Sequence, residues 1–313
     1  MAATKLTHVR MGVFHRNSFP DHLNKGMDTF LERSAQIPVQ GGQFFKREQA
    51  TTLEHKLTTW GTALNTPREN EDTDPLPFEV TAPGYDQTIT LATYRNAVRV
   101  TRTMLQIDVS GKIRSMMQGL PNSGIRFLEL GFANVINTGS STAGSDGSNL
   151  FASDHFQEDP AGGTWDNDET AAALTTTSFN TMRQNMRKRN DEKGMVGPIT
   201  LKTLFGAADQ EQKMRQITGS DKVPEDALNA INPWKGVNTM VWDYITDTNA
   251  FFGWGDLPED MWGLHFIVLS DFSIMALPLP SAAYPDIVAG WRTRGQVAFS
   301  GSQLKNLHKN AGA

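Results

Sequence analysis

The chain contains no cysteine among its 313 residues. Disulfides, thiolate catalysis and Cys-ligated zinc or iron–sulfur sites are thereby excluded. Positive charge is not in excess either: 29 Lys and Arg stand against 34 Asp and Glu, a net charge of −5. That excludes the strongly basic footprint of a dedicated nucleic-acid binder. Long apolar runs are missing. The longest clean run toward the C-terminal third, Phe266-Ile267-Val268-Leu269, falls far short of the ~20 residues a membrane helix needs, and no membrane partner is expected. The opening MAATKLTHVRMGVF has no apolar core of a secretory signal, so a soluble chain made in a cytoplasm is expected.

Catalytic signatures are missing as well. The histidines, His8, His15, His22, His55, His155, His265 and His308, are scattered, with no H-x-x-x-H or H-E-x-x-H pair. His8, His15 and His22 are spaced by seven, but Pro20 intervenes. Neither G-x-x-x-x-G-K-[ST] nor G-x-G-x-x-G occurs, and Gly144-Ser145-Asp146-Gly147-Ser148 does not match the nucleophile elbow G-x-S-x-G. Asp146, Asp154, His155 and Asp159 lack the calcium-loop spacing. No enzyme, metal or cofactor is expected, and the acidic stretch reads as a solvated loop.

What is present is a chain long enough for one large domain or two modest ones. Hydrophobic residues make up 38%, charged ones 20%, and there are 27 Gly and 31 Thr. This composition suits a strand- and loop-rich globular protein. Residues 1–40 read as an arm with a short helix around Leu23–Arg33, where Met27, Phe30 and Leu31 share a face. Residues 41–103 read as a long two-stranded excursion. Its tip, Thr66 to Pro75, is acidic and bracketed by prolines, and Thr88 to Thr101 alternates as a returning strand. From 104 to 137 the apolar spacing is helical. Pro121-Asn122-Ser123-Gly124 is expected to interrupt it, and Ile125, Phe127, Leu128, Leu130, Phe132, Val135 and Ile136 to continue the apolar face. A helix over Ser178–Arg189 carries a Phe179, Met182, Met186 stripe. A short strand at Ile199–Leu201, a helix over Leu204–Ile217, strands at Val237–Tyr244, Trp262–Ser270 and Ile287–Ser300, and an aromatic hairpin at Phe251–Asp256 complete an α+β chain.

Charge is segregated along this order. Glu69, Glu71, Asp72 and Asp74 form an acidic tip with only Arg68 nearby, and seven acids and no Lys or Arg lie between Asp146 and Glu169. Arg183, Arg187, Lys188 and Arg189 form a basic helix edge, and Arg292, Arg294, Lys305 and Lys309 a basic tail. Complementary patches on one chain suit association of like copies through heterologous contacts. Arg68, Glu69, Glu71, Asp72, Asp74, Arg183, Arg187, Lys188, Arg189, Arg292 and Arg294 are the candidate interface residues.

Four stretches, TITLATYRNAVRVTRTMLQID (Thr88–Asp108), DGSNLFASDH (Asp146–His155), PITLKTLFGAADQEQKMR (Pro198–Arg215) and NPWKGVNTMVWDYITDTNAFFGWGD (Asn232–Asp256), stand in the order of a known family. The chain resembles the major capsid proteins of tailed bacteriophages with the Hong Kong 97-type fold, and within them the phage Mu-like head subunits. The resemblance implies an N-terminal arm (1–40), an extended loop (41–103), a spine helix with peripheral domain (104–176), an axial domain (177–283) and a returning strand with C-terminal tail (284–313). It implies self-assembly into hexamers and pentamers of an icosahedral shell around double-stranded DNA, which the subunit touches weakly and without sequence preference. Portal, scaffolding and decoration proteins are the implied partners. The virion is the implied location, after assembly in the host cytoplasm. Neither a large N-terminal scaffolding extension nor an isopeptide cross-linking pair is expected. Two other classes stay open: an encapsulin-like shell around cargo enzymes, and a metal- or carboxylate-dependent hydrolase built on Asp146–Asp168.

Overall fold

The computed structural model describes residues 39–59, 69, 78, 84–107, 112–156, 163–169, 172–191, 194–224, 230–277 and 287–312. The helix expected at Leu23–Arg33 lies outside them. In chain order the elements are β1 (Lys46–Gln49), β2 (Glu54–Thr58), β3 (Asp86–Thr90), β4 (Ala92–Thr101), α1 (Arg102–Ile107) and α2 (Lys112–Asn137). Then come β5 (His155–Phe156), β6 (Thr164–Trp165), β7 (Asp168–Glu169), α3 (Thr176–Lys188), β8 (Thr200–Gly206) and α4 (Glu211–Gly219). The last are β9 (Asn238–Val241), β10 (Phe251–Asp256), β11 (Leu264–Ala276), β12 (Ile287–Gly301) and β13 (Leu307–Asn310). The chain is α+β, as its sequence pattern predicts.

It divides into two compact units. The described part of the smaller one comprises Tyr94–Ile125 and Phe272–Gly295. Its core is Val100, Ile113, Leu120 and Trp291, with Val98, Met116 and Ile274 packed around them.

The larger unit spans Pro38–Thr93, Arg126–Asp271 and Gln296–Ala313. Its five-stranded sheet runs β7-β13-β10-β8-β9. The stretch Phe251–Asp256 is not a hairpin but the central strand, buried from Phe251 to Gly255. Its glycines serve close packing, not turning. A Cβ at Gly253 would sit 2.7 Å from Leu201 and 2.9 Å from Met182, and one at Gly255 2.2 Å from Ile199. Helix α3 can therefore lie directly on the sheet. It starts with a capping box: Thr175 Oγ1 accepts from the Ser178 amide at 3.1 Å, and Ser178 Oγ accepts from the Thr175 amide at 2.9 Å. Phe179, Met182 and Met186 are fully buried, as the helical stripe predicts. Each such side chain contributes about 1.5–3 kcal/mol of transfer free energy.

Three expected boundaries move. Residues 204–206 belong to β8 and not to a helix, because Leu204 and Phe205 pair with Gly253 and Phe252 of β10; α4 begins only at Glu211. Among the described residues of 41–103 only β2 and β3 pair with each other, Glu54 opposite Thr90 through Thr58 opposite Asp86. β1 instead runs parallel to β11, and β4 pairs with β12. Finally, α2 continues through Pro121. Ser123 does not cap a second helix; its hydroxyl donates to the Leu120 carbonyl at 2.7 Å. The apolar face also differs from its sequence reading, since Leu130 is 56% exposed while Glu129 is fully buried. Glu129 stands three residues before Phe132, on the same helix face. Its carboxylate accepts from the amides of Gln40 (2.6 Å) and Gly41 (3.2 Å) and from Trp242 Nε1 (3.1 Å). Gly41 must be glycine here, because a Cβ would meet the Trp242 ring at 2.2 Å.

Candidate assembly surfaces and the buried polar network

The candidate interface residues fall into three groups. Arg68, Glu71, Asp72 and Asp74 lie outside the described residues, and Glu69 is exposed. Arg183 is half-buried and Arg187 and Lys188 are exposed on α3. Among the described residues none of these three forms an ion pair. Arg187 and Lys188 fill the last turn, where cations are favoured by the helix dipole. In the smaller unit, Arg292 and Arg294 alternate on β12, both half-buried.

Arg189 departs from this set. The helix ends at Lys188, and Arg189, in extended backbone, turns inward to only 5% exposure. Its guanidinium donates to the Lys305 carbonyl, to the Asp166 carbonyl at 2.7 Å and to His308 Nδ1 at 2.8 Å. Burial pushes its pKa down to about 10, against a pull upward from Asp166. It belongs to the interior and not to a basic edge. Lys305 and Lys309 likewise sit on a chain end that is mostly core. Leu304, Asn306, Leu307 and His308 are fully buried, and β13 lies between β7 and β10.

The acidic stretch after α2 is solvated only in part: Asp154 and Asp166 are exposed, but other described residues of it are not. Leu150 and Phe151 enter the core, and Asp146 and His155 follow them inside. His155 Nδ1 lies 2.8 Å from Asp146 Oδ2 and its Nε2 3.0 Å from Asn167 Oδ1. Asn167 is buried and donates to the carbonyls of Leu150 at 2.8 Å and Leu304 at 3.4 Å. The Trp165 ring stacks on His155 with centroids 4.1 Å apart, and Arg189 lies over Trp165 at 5.1 Å. Burial lowers the His308 pKa, opposed by Glu169 Oε2 at 3.4 Å. Burial raises that of Asp168, opposed by Lys309 at 3.9 Å. The network ties the loop, the end of α3 and β13 to one another. Its sequence signal was the pattern D-G-x-x-L-F-x-x-x-H, in which two core apolar residues sit between the acid and the histidine.

Among the described residues no group of three His, Asp or Glu is arranged to hold a metal ion, and no helix is long and apolar enough to cross a membrane.

The fold has counterparts among solved structures. The chain is similar to the capsid of the cyanophage P-SCSP1u, with a TM-score of 0.59 at 8% identity over 89% of each chain. It is similar to the bacteriophage JBD30 capsid, with a TM-score of 0.54 at 14% identity, over 69% of this chain and 94% of that one. The JBD30 capsid decorated with minor capsid protein trimers gives 0.50 at 17% identity, over 71% and 98%. At these identities the likeness is one of fold. No curated protein sequence matches. A family model described as phage capsid protein matches residues 84–264, more than half of the chain, and the chain belongs to that family.

Proposed function

We propose that this chain is the major head subunit of a tailed phage and builds hexamers and pentamers of an icosahedral shell around double-stranded DNA. The observation that carries this reading is the family match over 84–264. It favours a genome container over an enzyme-cargo compartment. In this reading the fold is of the Hong Kong 97 type, close to Mu-like head subunits. α2 is the spine helix, 41–103 the extended loop, 177–283 the axial domain, and 1–40 the arm. In the shell the subunit acts by packing against its neighbours.

Three features support it. The exposed cations of α3 have no ion-pair partner among the described residues, and the acids at 69–74 have only Arg68 beside them. A neighbouring copy is the natural source of a partner for these cations. Large apolar side chains at Phe78, Ile231 and Val196 stand 90%, 79% and 63% exposed, and a shell interface would cover them. The net charge of −5 suits weak contact with packaged DNA, without sequence preference. Portal, scaffolding and decoration proteins complete the assembly, which forms in the host cytoplasm and ends in the virion.

The test is electron microscopy of the purified protein, followed by nuclease digestion of the particle fraction. Closed shells, with double-stranded DNA protected in infected-cell particles, are expected. A monomer at every salt and concentration, or shells that enclose enzymes in place of DNA, would overturn the reading.

A further inference from the structure

A second histidine–carboxylate pair lies in the larger unit, and it ends on a hydroxyl. β1 and β11 run parallel with Lys46 opposite His265 and Glu48 opposite Ile267. This register sets Glu48 Oε1 3.2 Å from His265 Nδ1. On the far side of the ring, His265 Nε2 is 2.9 Å from Ser302 Oγ. Ser302 is held by its amide, which donates to the Gly263 carbonyl at 2.7 Å. Only glycine permits that approach, because a Cβ at Gly263 would lie 2.0 Å from the Gln303 carbonyl oxygen. Glu48 is fixed further by His55 Nε2 on its other oxygen at 3.2 Å and by Lys46 Nζ, which shares Oε1 at 3.3 Å.

The chemistry follows from these roles. With Nδ1–H donated to Glu48, the lone pair of His265 Nε2 faces the Ser302 hydroxyl, and its 2.9 Å contact is shorter than the 3.3 Å alternative from Ser302 Oγ to the Gly263 carbonyl. A carboxylate, an imidazole and a hydroxyl joined in that order are the parts of an activated serine nucleophile. Glu48, His265, Ser302 and Gln303 all line one cavity of about 820 Å³, within the usual size of small-molecule sites. Leu57, Ile199 and Trp262 give it apolar wall. The Gln303 side chain is 8% exposed, and its Nε2 has no hydrogen-bond partner among the described residues. Gln303 follows the nucleophile in the chain and lines the same cavity, and an unspent amide donor there is what an oxyanion requires.

We propose that Ser302, His265 and Glu48 form an acyl-transfer site that cleaves small carboxylic esters with an apolar acyl group. Ser302 Oγ adds to the ester carbonyl carbon while its proton passes to His265 Nε2. Gln303 Nε2 donates to the resulting oxyanion. The carbon–oxygen bond to the alcohol breaks, and the alcohol leaves with the proton from His265. Water, losing a proton to the same nitrogen, then cleaves the acyl–Ser302 ester, releases the carboxylic acid and restores the hydroxyl. Glu48 holds the ring's orientation and balances the charge of the protonated imidazole.

The test treats native full-length protein, as free subunits and as particles, with a biotinylated fluorophosphonate. In that reaction Ser302 Oγ bonds to phosphorus and fluoride leaves. Peptide mass spectrometry should find the adduct on Ser302 at least ten-fold above every other serine. Prior unfolding in urea should abolish it. His265→Ala and Glu48→Gln should lower labelling, and native protein should release p-nitrophenol from p-nitrophenyl butyrate with a burst of about one equivalent. If His265→Ala fails to fold, the native-against-urea comparison decides alone. No adduct on Ser302 in either native state, or labelling equal before and after urea, would overturn the proposal.

Discussion

Of the histidines in the larger unit that lean on carboxylates, His155 and His265 are separated by the third group on each ring. At His155 it is the amide of Asn167, whose other hydrogen bonds go to backbone at Leu150, Ala152 and Leu304. Asp146 and His155 have no exposed side-chain surface, and Trp165 closes the ring face. At His265 the third group is a hydroxyl, the carboxylate keeps 18% of its surface, and a cavity opens beside it. One pair type thus serves as a pin where the ring is enclosed by Asp146, Asn167 and Trp165, and as a site whose hydroxyl and unspent amide belong to residues that line a cavity.

The largest effect should come from breaking the pin. Asp146→Ala leaves His155 Nδ1 without its partner in the interior, and losing one member of a buried pair costs about 3–5 kcal/mol. Glu48→Ala, at a site that water reaches, should cost about 1–3 kcal/mol. Urea unfolding of both variants measures the difference. Equal losses would show that the two pairs do the same job.

A pH series sharpens the contrast. Glu48 is held at about 2, from an ordinary value of 4.5, chiefly by its hydrogen bond from His265 and against the cost of burial. The fold therefore favours the ionised carboxylate. Its stabilisation is fully present above pH ~4.5 and is lost as pH falls toward ~2, a total of about 1–3 kcal/mol after solvent screening. The urea midpoint should drop through that window, and Glu48→Gln should flatten this part of the curve. An unchanged slope in Glu48→Gln would mean that another carboxylate sets it.

These pairs also mark where sequence reading stops. The stripe Phe179, Met182, Met186 was legible because its spacing matches the helical period and nothing competes with it. The run FFGWGD was ambiguous, since a continuous apolar run with glycines fits a turn as well as a central strand. Only the approach of α3 explains Gly253 and Gly255. Pro121 read as a break, yet α2 continues through it. Glu129 carries no signal in the sequence because its donors, Gln40, Gly41 and Trp242, are about ninety or more positions away. Asp146 and His155 are nine residues apart, so local pattern named them, although it placed them in solvent. Glu48 and Ser302 stand 217 and 37 positions from His265, beyond any motif. Local periodicity reaches elements; tertiary pairing decides which polar residues are pins and which face a cavity.

The smallest effect on folding belongs to the exposed basic edge of α3, the counterpart of buried Arg189. Reversing Arg187 and Lys188 to Glu breaks no ion pair among the described residues and opposes only the helix dipole, so urea stability should fall by about 1 kcal/mol. Assembly should respond instead. An exposed pair between subunits is worth only about 0.2–1 kcal/mol, but a shell repeats it in every copy, and charge complementarity acts mainly on encounter and register. If the acidic tip docks on this edge, Glu71→Lys with Asp72→Lys should block assembly. Combining it with Arg187→Glu and Lys188→Glu should restore part of the particle yield. Light scattering should also show wild-type assembly slowing as the Debye length falls from about 10 Å at 0.1 M salt toward about 3 Å at 1 M. Arg292 and Arg294 are the second candidate partner, tested by the same reciprocal exchange. Normal assembly of the Glu71 and Asp72 reversal would mean that the tip is solvated. A block that neither basic pair rescues would assign the tip to a different surface.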